Sequence, residues 1–175
     1  MGGWITLKLA LDHPELIDRV VIYDSAGTRF EISDPKKLFE PQTTDDVQRL
    51  FSTMEPTAPP MPMFVRRDLL RAIQSYQWTI DRNLSSMTEN DLLESHLPSL
   101  TEPLLIVWGS DDRLIPLSVG QQMHQLVPQS ELDVLVGCGH LAPNRCSSRA
   151  ASATADFLKS NPAPSGSVRT LQSMH

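Results

Sequence analysis

At 175 residues the chain has room for one ordinary domain with a continuous core, and 40% hydrophobic residues suit a globular protein. No run approaches the ~18 consecutive apolar residues of a membrane span. A formal charge of −6 with no basic stripe argues against a nucleic-acid partner, and the N-terminus lacks a basic leader with a cleavage site, so a cytoplasmic protein is expected.

The chain opens MGGWITLKLALDH, which predicts a helix from Gly2 to about His13, dense in apolar residues and stopped by Pro14. Arg19 to Tyr23 (RVVIY) is a β-branched run, apolar at consecutive positions, that suits a strand covered on both faces of a parallel sheet; it ends in the turn-like DSAG, Asp24 to Gly27. From Ser33 to Pro98 strand signals vanish. Helical patterns there are broken by EPTAPPMPMF, Glu55 to Phe64, and resume over Arg66 to Ser75 and Tyr76 to Met87.

The sheet signal returns at Leu104 to Trp108 (LLIVW), followed by the loop GSDDRLIP and a helix from about Ser118 to Val127. A strand over Leu132 to Val136 leads into the loop GCGHLAP, and a last helix runs from about Arg145 to Lys159. The remaining tail is small, polar and proline-broken and is expected to be disordered over 161–175. This order predicts an α/β fold of about three parallel strands with flanking helices. Its core is assigned to 1–32 and 99–160, with a helical cap over 33–98.

Ligands of open parallel sheets bind beyond the carboxyl ends of the strands, and three loops leave such ends here. Two of them carry an acid, Asp112, and an imidazole, His140. A carboxylate that accepts from one imidazole nitrogen fixes the tautomer and leaves the other free to take a proton from a nucleophile. Asp111 is a neighbour suited to capping. Asp24 is a rival acid whose expected role is to hold its own turn. Cys138 and Cys146 are eight apart with no metal-type His or Cys partners and are read as structural thiols. Ser25 and Ser110 do not sit on a strand–helix elbow. His13, His96, His124 and His175 are read as surface or capping residues.

These loops resemble a family. IVWGSDDRLIP is similar to the loop of α/β-hydrolases that carries the triad acid in a G-x-x-D-x-x-x-P pattern, which places it at Asp112. VGCGHLAP is similar to the loop carrying their histidine, at His140. The opening MGGWITLKLALDHPELIDRVVIYDSAG resembles the region after the nucleophile in the G-x-S-x-G elbow, with Met1 as the second x and Gly2 as the closing glycine.

The resemblance runs from Met1 to about Leu158. It implies a C-terminal α/β-hydrolase portion, similar to serine esterases and lipases, with no metal or organic cofactor. The implied serine would precede Met1, which points to a start placed at an internal methionine or to a truncated gene. His140 would act as base and then acid, and Asp112 would orient it. The backbone nitrogen of Met1, a terminal amine here, stands at an oxyanion-donor position.

The alternatives are an aspartate-nucleophile relative of the epoxide hydrolase or dehalogenase type, or a non-catalytic fragment or binding module. The 175 residues alone are expected to lack turnover. Met54, Met61 and Met63, with Phe64, Trp78 and Leu84, read equally as cap packing or as an apolar wall for a small acyl substrate. An unpaired strand edge near Val20 leads us to expect self-association.

Overall fold

The computed structural model describes residues 1–32, 35–86 and 91–172. Helix α1 spans Gly2–Asp12 and strand β1 Val20–Tyr23. The helical insertion follows as α2 (Pro35–Phe39), α3 (Thr44–Met54), α4 (Met63–Ser75) and α5 (Gln77–Ser85). The core resumes with β2 (Leu104–Gly109), α6 (Leu117–Leu126), β3 (Glu131–Leu135), α7 (Ala142–Arg145), α8 (Ser147–Lys159) and β4 (Val168–Leu171). The expected helix end at Met87 lies outside the described residues, as does His175.

All strand pairs are parallel, in the order β1-β2-β3-β4, with Val20 opposite Leu104 and Leu105 opposite Glu131. The sheet separates two cores by the period-2 alternation of its strands. Ile22, Leu104, Ile106, Trp108, Leu132 and Val134 face α1 and α6, where Trp4, Leu7, Val119 and Met123 meet them. Leu105, Val107 and Leu135 face the other way, onto Ala142, Ala150 and Phe157 of α7 and α8. Every residue of β2 and β3 is buried; β2 reads accordingly as an unbroken apolar run, whereas β3 (ELDVL) carries two acids, Glu131 and Asp133, into the interior.

Local chemistry fixes the helix placements. α1 lies hard against β1 at Gly3, where a Cβ would come within 2.3 Å of the Ser25 hydroxyl oxygen, so a side chain there would push the helix off the strand. Gly2 meets nothing comparable. In the insertion, Thr43 accepts from the Asp46 amide while the Asp46 carboxylate accepts from the Thr43 amide at 2.7 Å, a reciprocal cap that starts α3. The proline run between Met54 and Met63 is non-helical, as the missing amides require.

Two expectations are corrected. The tail is not disordered over its described length, because Val168–Leu171 adds a fourth strand alongside β3. The cause is charge: β3 buries Glu131 and Asp133, and the Arg169 guanidinium reaches both, donating to Asp133 Oδ1 at 2.7 Å and standing 2.6 Å from Glu131 Oε1. Carboxylates taken out of water need such a partner, and the tail supplies it. Cys138 and Cys146 are not free thiols but form a disulfide, with Cα atoms 6.3 Å apart. The turn after β3 and the break between α7 and α8 fold back on each other and bring them together.

Candidate active site

The site is built at the carboxyl ends of β2 and β3. β2 ends at Gly109, and a Cβ there would lie 2.4 Å from the carbonyl oxygens of Cys138 and Gly139, so the loop after β3 passes directly over the end of β2. Backbone bonds sew the two loops together. Asp111 N–H donates to Cys138 O at 2.8 Å, and Ser110 N–H to Leu135 O at 3.0 Å. Gly137 N–H donates to the Ser110 hydroxyl at 2.9 Å. Trp108, fully buried, donates its indole N–H to Ile115 O at 3.0 Å and packs where a side chain on Gly120 of α6 would collide with its ring. That closes the loop carrying the acid.

Asp112 and His140 meet across this seam. His140 Nδ1 stands 2.8 Å from Asp112 Oδ2. The other oxygen, Oδ1, accepts from the backbone amides of Leu114 at 2.8 Å and Ile115 at 2.9 Å. Two amides and the imidazole therefore hold a carboxylate whose side chain is 0% exposed, while the His140 side chain keeps 15% exposure. This is a carboxylate fixed in place beside a partly exposed imidazole.

The other sequence candidates sort themselves plainly. Asp111 only accepts from the neighbouring Ser110 hydroxyl at 2.7 Å. Ser25 is buried and donates to the adjacent Ala26 carbonyl. Nδ1 of His13 stands 3.4 Å from Glu15, Nδ1 of His96 is 3.1 Å from the Ser95 hydroxyl, and Nδ1 of His124 is 2.9 Å from the Ser130 hydroxyl. At Met1 the side chain is exposed while burial around the terminal ammonium pushes its pKa below the ordinary value. No group of three or more potential metal ligands occurs among the described residues.

Asp24 departs from its expected role. Its carboxylate does not close its own turn but crosses to β2, where Oδ1 accepts from the Gly109 amide at 2.8 Å. The residue is buried with a positive φ of 45°, a conformation that Asp and Asn tolerate better than most, and Oδ2 has no hydrogen-bond partner. Burial, reinforced by the charges of Asp112 and Glu55, pushes its pKa up to about 8 against the pull of the Gly109 and Ala142 amides.

Sequence reasoning missed the contribution of the insertion. Met54 O, at the end of α3, accepts from the His140 amide at 2.7 Å, and the buried Glu55 carboxylate accepts from the Leu141 amide at 2.8 Å. The only available signal was a glutamate set between a predicted helix and a proline run. Beside the Asp112 loop, α2 and α3 frame a cavity of about 540 Å³, lined among others by Lys37, Leu38, Arg49, Arg113, Leu114 and Pro116. Met63, Phe64 and Trp78 are exposed and do not line it, and Met54 packs on the core.

Comparison with known proteins gives this arrangement its setting. The family model for the α/β hydrolase fold matches residues 66–143, which include both Asp112 and His140. The chain is 29% identical over 172 residues to the hydrolase YugF of Bacillus subtilis (strain 168), with 91% of this chain and 63% of that protein covered. It is 26% identical over 158 residues to a 2-hydroxy-6-oxononadienedioate/2-hydroxy-6-oxononatrienedioate hydrolase of Pseudomonas sp, covering 81% of this chain and 54% of that one. A pimeloyl-(acyl-carrier protein) methyl ester esterase of Vibrio vulnificus (strain CMCP6) is 27% identical over 155 residues, covering 80% and 60%.

Among solved structures, a meta-cleavage product hydrolase from Pseudomonas fluorescens IP01 superposes with a TM-score of 0.77 at 19% identity, covering 89% of this chain and 61% of that one. The chain thus spans between 54% and 63% of the length of the relatives it matches. No described helix is long and apolar enough to cross a membrane. The strand order, the two loops that meet at Asp112 and His140, and these matches together show that the chain has the α/β-hydrolase fold.

Proposed function

We propose that this chain carries the acid–base half of a carboxylic-ester hydrolase, with Asp112 and His140 as two members of a triad and the nucleophilic serine supplied by residues ahead of Met1 in a longer protein. The observation that carries the reading is the 2.8 Å pair between His140 Nδ1 and a buried, doubly amide-bonded Asp112. In the proposed cycle His140 Nε2 takes the serine proton as the hydroxyl attacks the ester carbonyl. It then returns that proton to the leaving alcohol, and water repeats the sequence to release the acid. Asp112 stays ionised, holds the Nδ1–H tautomer and stabilises the imidazolium. In the longer protein the Met1 nitrogen would be an amide able to donate to the oxyanion.

The likeness to a methyl ester esterase supports the ester reading. The test is hydrolysis of p-nitrophenyl acyl esters by the longer protein and its Asp112→Asn and His140→Gln variants. Both substitutions are expected to lower kcat by about 10³-fold or more, with the fold retained. Activity unchanged in both would overturn the reading.

One observation favours a second reading of the substrate. Arg49 and Arg113 line the cavity beside the Asp112 loop, which suits an acid-bearing substrate better than a purely apolar acyl chain. A relative named for 2-hydroxy-6-oxononadienedioate hydrolysis points the same way. Comparing kcat/KM for p-nitrophenyl butyrate with that for an oxo-dienedioate separates the two.

A further inference from the structure

The histidine loop is held from two sides, and only one of them belongs to the sheet. Its imidazole is fixed by Asp112, but its backbone hangs on the end of α3. Met54 O is one of the last-turn carbonyls that a helix leaves without an internal partner, and it accepts the His140 amide at 2.7 Å. The next residue, Glu55, closes α3 by donating its own amide to Phe51 O at 2.8 Å. Its side chain then turns inward, is 3% exposed, and accepts the Leu141 amide on Oε1 at 2.8 Å.

The fit is close. A Cβ on Gly139 would lie 2.3 Å from Met54 O and 3.1 Å from Glu55 Oε2, so only glycine lets the loop reach this helix end. Glu55 Oε2 has no hydrogen-bond partner. A polar side chain kept this deeply buried with one oxygen unpartnered is costly, and an apolar residue would fill the same space more cheaply. Core packing therefore does not account for Glu55, whereas its contact with the histidine loop does.

We infer that Glu55 is a positioning residue. Together with the Met54 carbonyl it clamps the backbone of His140 and Leu141 to the insertion, so that the seating of α3 sets where the imidazole stands relative to Asp112. The inference rests on reading Asp112 and His140 as the acid–base pair. A substrate that bears on α3, four of whose residues (Gln48, Arg49, Ser52 and Thr53) line the cavity beside the Asp112 loop, then acts on the histidine through this clamp.

The test uses the 15N-labelled chain and needs no turnover. Glu55→Leu keeps the bulk, removes the acceptor and relieves a buried charge. It is expected to cut the exchange protection of the Leu141 amide about tenfold, the worth of one hydrogen bond. The His140 ring is expected to lose its single Nδ1–H pattern in long-range 1H–15N spectra. Glu55→Gln, which keeps the oxygen acceptor, is expected to retain both. An unchanged ring pattern in Glu55→Leu would reduce Glu55 to loop structure and overturn the inference, and so would loss of the pattern in Glu55→Gln.

Should Glu55→Leu fail to fold, the wild type decides. The clamp requires the His140 and Leu141 amides to exchange at the rate of the last turn of α3, and independent, faster exchange refutes it. Absence of esterase activity in the longer protein would bear on the proposed function and leave these readouts untouched.

Discussion

Replacing Asp24 by Asn should stabilise the protein, and more so as pH rises. The wild-type carboxyl is buried, leaves Oδ2 unpartnered, and has its pKa raised from 3.8 to about 8. Between those values the folded state holds a proton that the unfolded state has released. Unfolding is therefore favoured progressively with rising pH, by about 1.4 kcal/mol per unit, and the loss levels off above about pH 8. Four units set a ceiling of about 6 kcal/mol; relaxation and water entry around the site bring the expected effect to about 3 kcal/mol.

Asparagine keeps the oxygen that accepts from Gly109 and tolerates the φ of 45°, so the substitution removes the charge with little else changed. Thermal and urea unfolding of both proteins from pH 4 to pH 9 reads the difference. The curves should nearly meet at pH 4 and separate by about 6–12 °C in Tm at pH 8. Parallel curves, or an Asn variant that loses ground as pH rises, would show that Asp24 is ionised and held by its amides, and the reasoning would fail.

Other outcomes follow from single contacts. Arg169→Ala strips Glu131 and Asp133 of their cation and should cost about 2 kcal/mol, scaled down from a fully buried pair because the Arg169 side chain is 38% exposed. Limited proteolysis should then cut between Lys159 and Val168, and an uncut tail would refute the pairing as what holds β4. Reduction of the Cys138–Cys146 disulfide opens a short loop around His140 and should cost about 2–3 kcal/mol, read as a fall in Tm with reductant. Equal Tm values with and without reductant would contradict this. Ile5 and Leu9 lie exposed, four residues apart on α1, beside a β1 that no described strand covers on its outer side. Sedimentation should show concentration-dependent association that Ile5→Lys with Leu9→Lys abolishes, and a clean wild-type monomer would dismiss the expectation.

The parts of this architecture legible in sequence were those with local periodicity or local motif. β2 announced itself as an apolar run because both its faces are covered, β3 showed in the apolar residues on either side of Asp133, and the loops after them carried enough glycine, acid and proline spacing to point to Asp112 and His140. What stayed hidden depended on partners distant in sequence. β4 is four residues of mixed polarity, and nothing in VRTL marks it as strand until Arg169 is seen against Asp133, 36 residues earlier. The disulfide needed the turn after β3 and the α7–α8 break to fold back on each other. Glu55 looked like a helix-end residue before a proline run, and its inward turn toward Leu141, 86 residues away, is a property of the folded chain alone. Asp24 was legible as an acid at a strand end but not as a cross-strand acceptor.

The central claim is that Asp112 and His140 serve a nucleophile. The most direct measurement is the intact mass of the protein from its source, with and without a fluorophosphonate that labels activated serines, repeated for a His140→Gln variant. The account predicts a species larger than 19.5 kDa that gains one label in the wild type and labels far more slowly without the imidazole. A species that takes no label, or labels as fast without His140, would contradict it.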